Sequence, residues 1–193
     1  MRTVIPQNAQ IIPDKAKLVF KGKIFDVYQW DQEMFDGSTQ VFERLKRPDT
    51  TKVFVVQNEK VIVLQEEQPG GHEFFDLPGG RHDVDSETEL QSAQREVREE
   101  TGLVLKNWKL VDVVQPQSKI DWFVYTFVAW EVETQGSPEV HAGEKIVIKQ
   151  CDFDEALKLG EDPKARSDFK QLLERAGSVK GLLELPEFVD NKV

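Results

Sequence analysis

The segment DWFVYTFVAWEVE, residues 121–133, is apolar on two faces at once. In an extended chain Trp122, Val124, Val128 and Trp130 point one way, and Phe123, Tyr125, Phe127 and Ala129 point the other. A strand with two apolar faces must be covered on both sides, which excludes a one-sided sheet and demands a layered fold. The rest of the pattern supplies the layers. LVFKGKIFDVYQWDQEM and STQVFERLK flank the turn signal FDGS and predict a β-hairpin over residues 18–46. KVFVVQ and VIVLQ, joined by Asn58-Glu59, predict a second hairpin, and a short strand is expected near Phe74–Leu77 inside a Gly/Pro-rich stretch.

Residues 87–101 are expected to be helical, NWKLVDVV and KIVIKQ to be strands, and DFDEALKL and ARSDFKQLLERA to be helices, the last stopping at Gly177. The tail GLLELPEFVDNKV has no clear period. Residues 1–14 show little pattern and are expected to form a loose arm. The predicted organisation is an N-terminal arm and hairpin region over residues 1–48, followed by a mixed α/β (α+β) sandwich over residues 49–193.

At 193 residues the chain suits one full domain with a small extra element. A net charge of −10 with no Lys/Arg-rich block argues against nucleic acid or an anionic membrane as partner, and no apolar run is long enough to span a bilayer. Cys151 is the single cysteine, which fits a reducing, cytoplasmic setting. His72, His82 and His141 match no zinc spacing.

The stretch REVREETGL, residues 95–103, concentrates the chemistry. With Glu96 at 0° on a wheel of ~100° per residue, Glu100 falls near ~40° and Glu99 near ~−60°. Leu90, Ala93 and Val97 form the apolar stripe at roughly 60–120°, so the acids border the buried face. Two carboxylates about 6 Å apart repel by roughly 3 kcal/mol at an effective dielectric near 20. A hard divalent cation would relieve that repulsion, while on the wheel alone a charged helix flank is the more expected reading.

The surrounding residues resemble the Nudix hydrolase signature: Glu87, Arg95-Glu96-Val97, Glu99-Glu100, and Gly102-Leu103 fall in its register. The loop RHDVDS between Gly80 and Glu87 is one residue longer than the pattern. FFDLPGGR before the signature and HAGEKI after it resemble the branch of ADP-ribose and nucleotide-sugar pyrophosphatases. The resemblance implies a Nudix-type α/β/α sandwich in which Glu96, Glu99 and Glu100, with the Gly79 carbonyl, bind Mg²⁺ or Mn²⁺. Arg95 would hold the carboxylates in place, and Glu144 would be the general base with Glu99 as fallback. Tyr28 and Trp30 would stack on a base, and relatives pair through their N-terminal sheets, so a homodimer is implied.

Where many relatives carry an arginine after the second hairpin this chain has QEEQP, with Glu67 in that place; Arg44, Arg47 and Arg81 are the candidates to replace it. The implied substrate is a nucleoside diphosphate linked to another moiety, ADP-ribose first. The alternatives are a nucleoside triphosphate pyrophosphatase and a non-catalytic nucleotide sensor. Sensors usually lose signature acids, and this chain keeps them.

Overall fold

The structure is a computed structural model that describes residues 2–139, 143–166 and 168–189. Its strands and helices, in chain order, are β1 (Lys17–Lys21), β2 (Asp26–Glu33), β3 (Thr39–Lys46), β4 (Asp49–Gln57), β5 (Lys60–Glu67), β6 (Phe74–Asp76), β7 (Arg81–His82), α1 (Glu89–Thr101), β8 (Leu103–Val114), β9 (Ile120–Asp121), β10 (Val124–Gln135), β11 (Lys145–Cys151), α2 (Phe153–Glu161), α3 (Phe169–Ala176) and α4 (Val179–Glu184). The larger sheet runs β11-β5-β4-β10-β8, with β6 paired to β5 and β7 to β4; the smaller runs β1-β2-β3-β9.

The doubly apolar strand is β10, which pairs parallel with β4 and antiparallel with β8. Its Phe123-side residues meet Ala93 and Val97 of α1 together with Val53 and Val55 of β4. Val128 and Trp130 on the other side join Phe54 and Val56 of β4 and the apolar residues of α3 and α4. Helices thus cover both faces, as the two-faced strand requires, and the α/β/α sandwich implied by the resemblance is what forms. Asn58 and Glu59 both take positive φ (52° and 59°), the twist a two-residue hairpin turn requires between β4 and β5.

Four local expectations need correction. LVFKGKIFDVYQWDQEM is two strands, because the chain turns at Gly22, where a Cβ would lie 2.3 Å from the Phe25 carbonyl. The first region is therefore a meander, joined in parallel by β9. The N-terminal arm is docked, not loose: Arg2 donates to Asp49 and Asp121, Thr3 donates to Glu89 through its backbone and hydroxyl at 2.6 Å, and the Val4 carbonyl accepts from Tyr125. Glu89, covered by that arm, takes the buried place in the first turn of α1, so Leu90 is 37% exposed. Finally, α3 starts at Phe169 because Ala165 bridges to Phe75 instead of entering the helix. The patternless tail contains α4, capped by Ser178 onto Gly181.

Candidate active site

Helix α1 starts from a capping box, in which the Thr88 hydroxyl accepts from Gln91 N–H and the Gln91 side chain accepts from Thr88 N–H. It ends at Gly102 in the left-handed conformation, φ 73°, with its N–H returned to the Arg98 carbonyl. Both ends being fixed, Glu96, Glu99 and Glu100 emerge at a set height beside the sheet. The loop before β7 is laid directly on β4: Val53 N–H donates to Pro78 O at 2.8 Å and Thr51 N–H to Gly80 O at 2.9 Å. Only glycine fits at 79, where φ is 144° and a Cβ would lie 2.0 Å from the Thr51 carbonyl. The Gly79 N–H then donates to Glu100 Oε2 at 2.8 Å. A Cβ on Gly80 would fall 2.4 Å from the Glu96 carboxylate.

Arg95 is surrounded by acids. Its Nε donates to Glu87 at 3.1 Å, and its Nη1 to Glu96 at 2.8 Å and Glu99 at 3.3 Å. That leaves Glu100, which burial pushes well above the ordinary carboxylate range despite the Gly79 hydrogen bond. Burial raises Glu96 as well, against the pull of Arg95. Across the cleft Glu66 of β5 is pushed up to about 7, mainly by burial, with Lys52 opposing and Asp76 and Glu144 adding to the rise. Burial also acts to lower Lys52, but Asp76, 2.5 Å away, outweighs it and keeps the ammonium charged. These groups surround a cleft of about 430 Å³. Its acids exceed its cations, so it favours a divalent cation or raised carboxylate pKa values.

A model of the NUDIX domain matches residues 46–173, the span from the end of β3 into α3. The chain belongs to the Nudix family. It is 29% identical over 147 residues to an ADP-ribose pyrophosphatase of Bacillus subtilis, covering 74% of this chain and 79% of that one. It is 23% identical over 148 residues to a methanol dehydrogenase activator of Bacillus methanolicus, covering 75% and 80%. A solved structure described as an ADP compounds hydrolase superposes with a TM-score of 0.64 over 90% of this chain and 95% of its own, at 19% identity, which bears on the fold alone.

The Nudix cleft brings together seven of the residues singled out by sequence: Gly79, Arg81, Arg95, Glu96, Glu99, Glu100 and Glu144. Gly79 donates its N–H to Glu100 there. As the side chains stand, no three His, Cys, Asp or Glu among the described residues enclose an ion. Glu96 and Glu99 are turned to Arg95, and Glu100 to Gly79. The donor set nevertheless suits a hard cation, being all oxygen and clustered at one helix end.

Three other candidates lie elsewhere. Tyr28 lines a separate cavity of about 800 Å³ that shares Asp83 with the cleft. Trp30 is buried against Phe42 and donates to Gln32, and Arg44 donates to Ile11 O and Gln10. His82 bonds the Glu87 carbonyl, and His141 lies outside the described residues. Glu67, the acid at the expected arginine position, pairs with Lys145.

Sequence reading missed Lys52, Glu66, Asp76 and Arg166, all of which face the Nudix cleft. Only Lys52 and Glu66 left a signal: each is a charge beside the apolar run of its strand, VFVV in β4 and VIVL in β5.

Proposed function

We propose that this protein is a divalent-cation-dependent pyrophosphatase acting on a nucleoside diphosphate linked to another moiety, with ADP-ribose, split to AMP and ribose 5-phosphate, as first substrate. The observation that carries the reading is the set of Glu96, Glu99 and Glu100 at one end of α1, with Glu100 half-buried and lacking a cationic hydrogen-bond partner of its own among the described residues. The pyrophosphatase name of the Bacillus subtilis relative supports the choice of substrate.

Magnesium or manganese held by these three carboxylates would supply charge neutralisation for the diphosphate and a more acidic water. The remaining roles fall to the chain. Arg95 spaces Glu87, Glu96 and Glu99 and keeps them from turning to solvent. Glu144, half-buried on the opposite wall, is the proposed general base, with Glu99 in reserve. It would take a proton from water as the water oxygen bonds to one phosphorus. The bridging P–O bond breaks, and the bridging oxygen leaves on the other phosphate. Lys52, fixed by Asp76, offsets the charge of Glu66 and Glu100 beneath the diphosphate.

Pairing of two copies through the smaller sheet is part of the proposal. It is supported by an edge strand β1 whose five residues are all exposed, with Phe20 61% and Val41 66% exposed on that sheet. Such pairing is how Tyr28 and Arg44 would approach a substrate. Scattering at micromolar concentration should give a dimer mass, and a monomer mass would remove this part. No helix among the described residues is long and apolar enough to cross a membrane, and a reducing cytoplasm is the proposed setting.

The deciding experiment is a product assay with Mg²⁺ across ADP-ribose, other nucleotide sugars, dinucleotides and nucleoside triphosphates. Nucleoside monophosphate plus a sugar phosphate is expected. Nucleoside monophosphate plus pyrophosphate would instead favour the triphosphate reading.

A further inference from the structure

Of the cations facing the cleft from the sheet and α1, Lys52 is held by Asp76, Arg95 is held by Glu87, Glu96 and Glu99, and Arg81 stands exposed on β7. Arg166, from the loop between α2 and α3, makes no ion pair among the described residues. It is nonetheless well placed. Its guanidinium lies over the Phe74 ring, 3.4 Å from the centroid, and its backbone N–H donates to the Phe75 carbonyl at 2.9 Å. Phe75 N–H donates in turn to Lys164 O at 3.0 Å, so the loop is sewn onto β6. A flat, stacked guanidinium whose donors meet no acceptor among the described residues is suited to a phosphate, whose oxygens match its fork.

Arg166 also stands at a junction. Behind it, on the α3 side of the sheet, is a second cavity of about 580 Å³ that shares Lys52, Asp76 and Arg166 with the cleft. That volume lies in the range of small-molecule sites. Trp122 forms one wall, its Nε1 donating to Thr50 at 3.0 Å and Arg47 lying 4.5 Å from its ring centroid. Asp112 and Gln171 add a half-buried carboxylate and an amide, and Asp112 makes no ion pair within 4 Å among the described residues. A carboxylate and an amide beside an aromatic wall suit hydroxyl groups on a ring with apolar C–H faces. Arg175, whose guanidinium donates to the Val111 carbonyl, also lines this cavity and acts on Asp112 from across it.

We infer that Arg166 grips one phosphate of the substrate, and that the sugar carried by that phosphate enters the cavity bounded by Trp122, Asp112 and Gln171. This rests on the proposed pyrophosphatase reading and sharpens it toward nucleoside diphosphate sugars over triphosphates.

Two variants test it in the full chain with Mg²⁺, each checked by circular dichroism and melting temperature. Calorimetry with inorganic pyrophosphate should show Arg166→Ala binding at least about tenfold more weakly than wild type, with Arg166→Lys between them. Gln171→Trp, which fills the second cavity from its exposed rim, should leave pyrophosphate affinity unchanged and raise KM for ADP-ribose at least about tenfold with kcat little altered. No pyrophosphate binding by wild type, or an Arg166→Ala affinity within about twofold of it, overturns the phosphate anchor. An unchanged ADP-ribose KM in Gln171→Trp overturns the sugar site. A wild-type protein that binds pyrophosphate yet splits no nucleoside diphosphate sugar overturns the sugar site and the proposed substrate together, and the anchor stands.

Discussion

The backbone N–H of Gly79 donates to Glu100 Oε2 at 2.8 Å, joining the loop on β4 to the last turn of the Nudix helix across a separation of 21 residues. The neighbouring glycines then predict different defects. Alanine at 79 would need φ 144° and place its Cβ 2.0 Å from a backbone oxygen that cannot yield, so Gly79→Ala should lose on the order of 3 kcal/mol of stability. Alanine at 80 meets only the end of the Glu96 side chain, at 2.4 Å. Gly80→Ala should keep its stability within about 1 kcal/mol and lose roughly 100-fold in turnover through displacement of that carboxylate. Urea melts and kinetics on the pair check this; equal stability of the two would sink it.

Glu100→Gln should nearly abolish cation-dependent turnover, by about 10³-fold, because a neutral amide is a poor ligand for a hard cation. The fold should tolerate it well, since glutamine still offers Gly79 an acceptor and removes a half-buried charge. Glu99→Gln should also lose turnover. Near-normal rates in either variant would take that residue out of the cation site.

Glu66 gives the cation-free protein a pH signature. Its pKa of about 7 in the folded state lies above its ordinary value of 4.5, so between those values the folded protein keeps a proton that the unfolded chain has lost. The contribution is fully present below about 4.5 and is lost as pH rises through about 7, amounting to about 3 kcal/mol. In EDTA, Glu66→Gln should flatten that part of the stability profile and be more stable than wild type at pH 8. A parallel profile would show that Glu66 is not the titrating group.

Arg2 bridges Asp49, at 2.6 Å, and Asp121, at 2.5 Å, both of them buried. Arg2→Ala strands two buried carboxylates and should cost about 3–5 kcal/mol. The adjacent Thr3–Glu89 contacts hold the first turn of α1, so amide exchange there should quicken as well. Wild-type stability in urea would return residues 2–4 to a loosely attached arm.

Much of the fold was legible because its signals are local. The two-faced strand, the Asn58-Glu59 turn and the Gly177 stop of α3 each depend on a few neighbouring residues. The errors came where a distant partner intervened. The Phe75–Ala165 bridge delayed α3, and Asp49, Asp121 and Glu89 captured the N-terminal arm. At the site, the spacing of Glu96, Glu99 and Glu100 was readable from one helix, whereas the charges facing them were not.

By itself the sequence determined the Nudix helix, its acids and the family, because helical period, caps and a motif are properties of contiguous residues. Only the tertiary structure decided what those acids face. The β11-β5-β4 order sets Glu66 and Lys52 against α1, and the loop after α2 delivers Arg166 to the same cleft. Lys52 and Arg166 stand far apart in the chain, and no local periodicity couples them. Their meeting is fixed by sheet pairing and by the burial of two apolar faces on one strand.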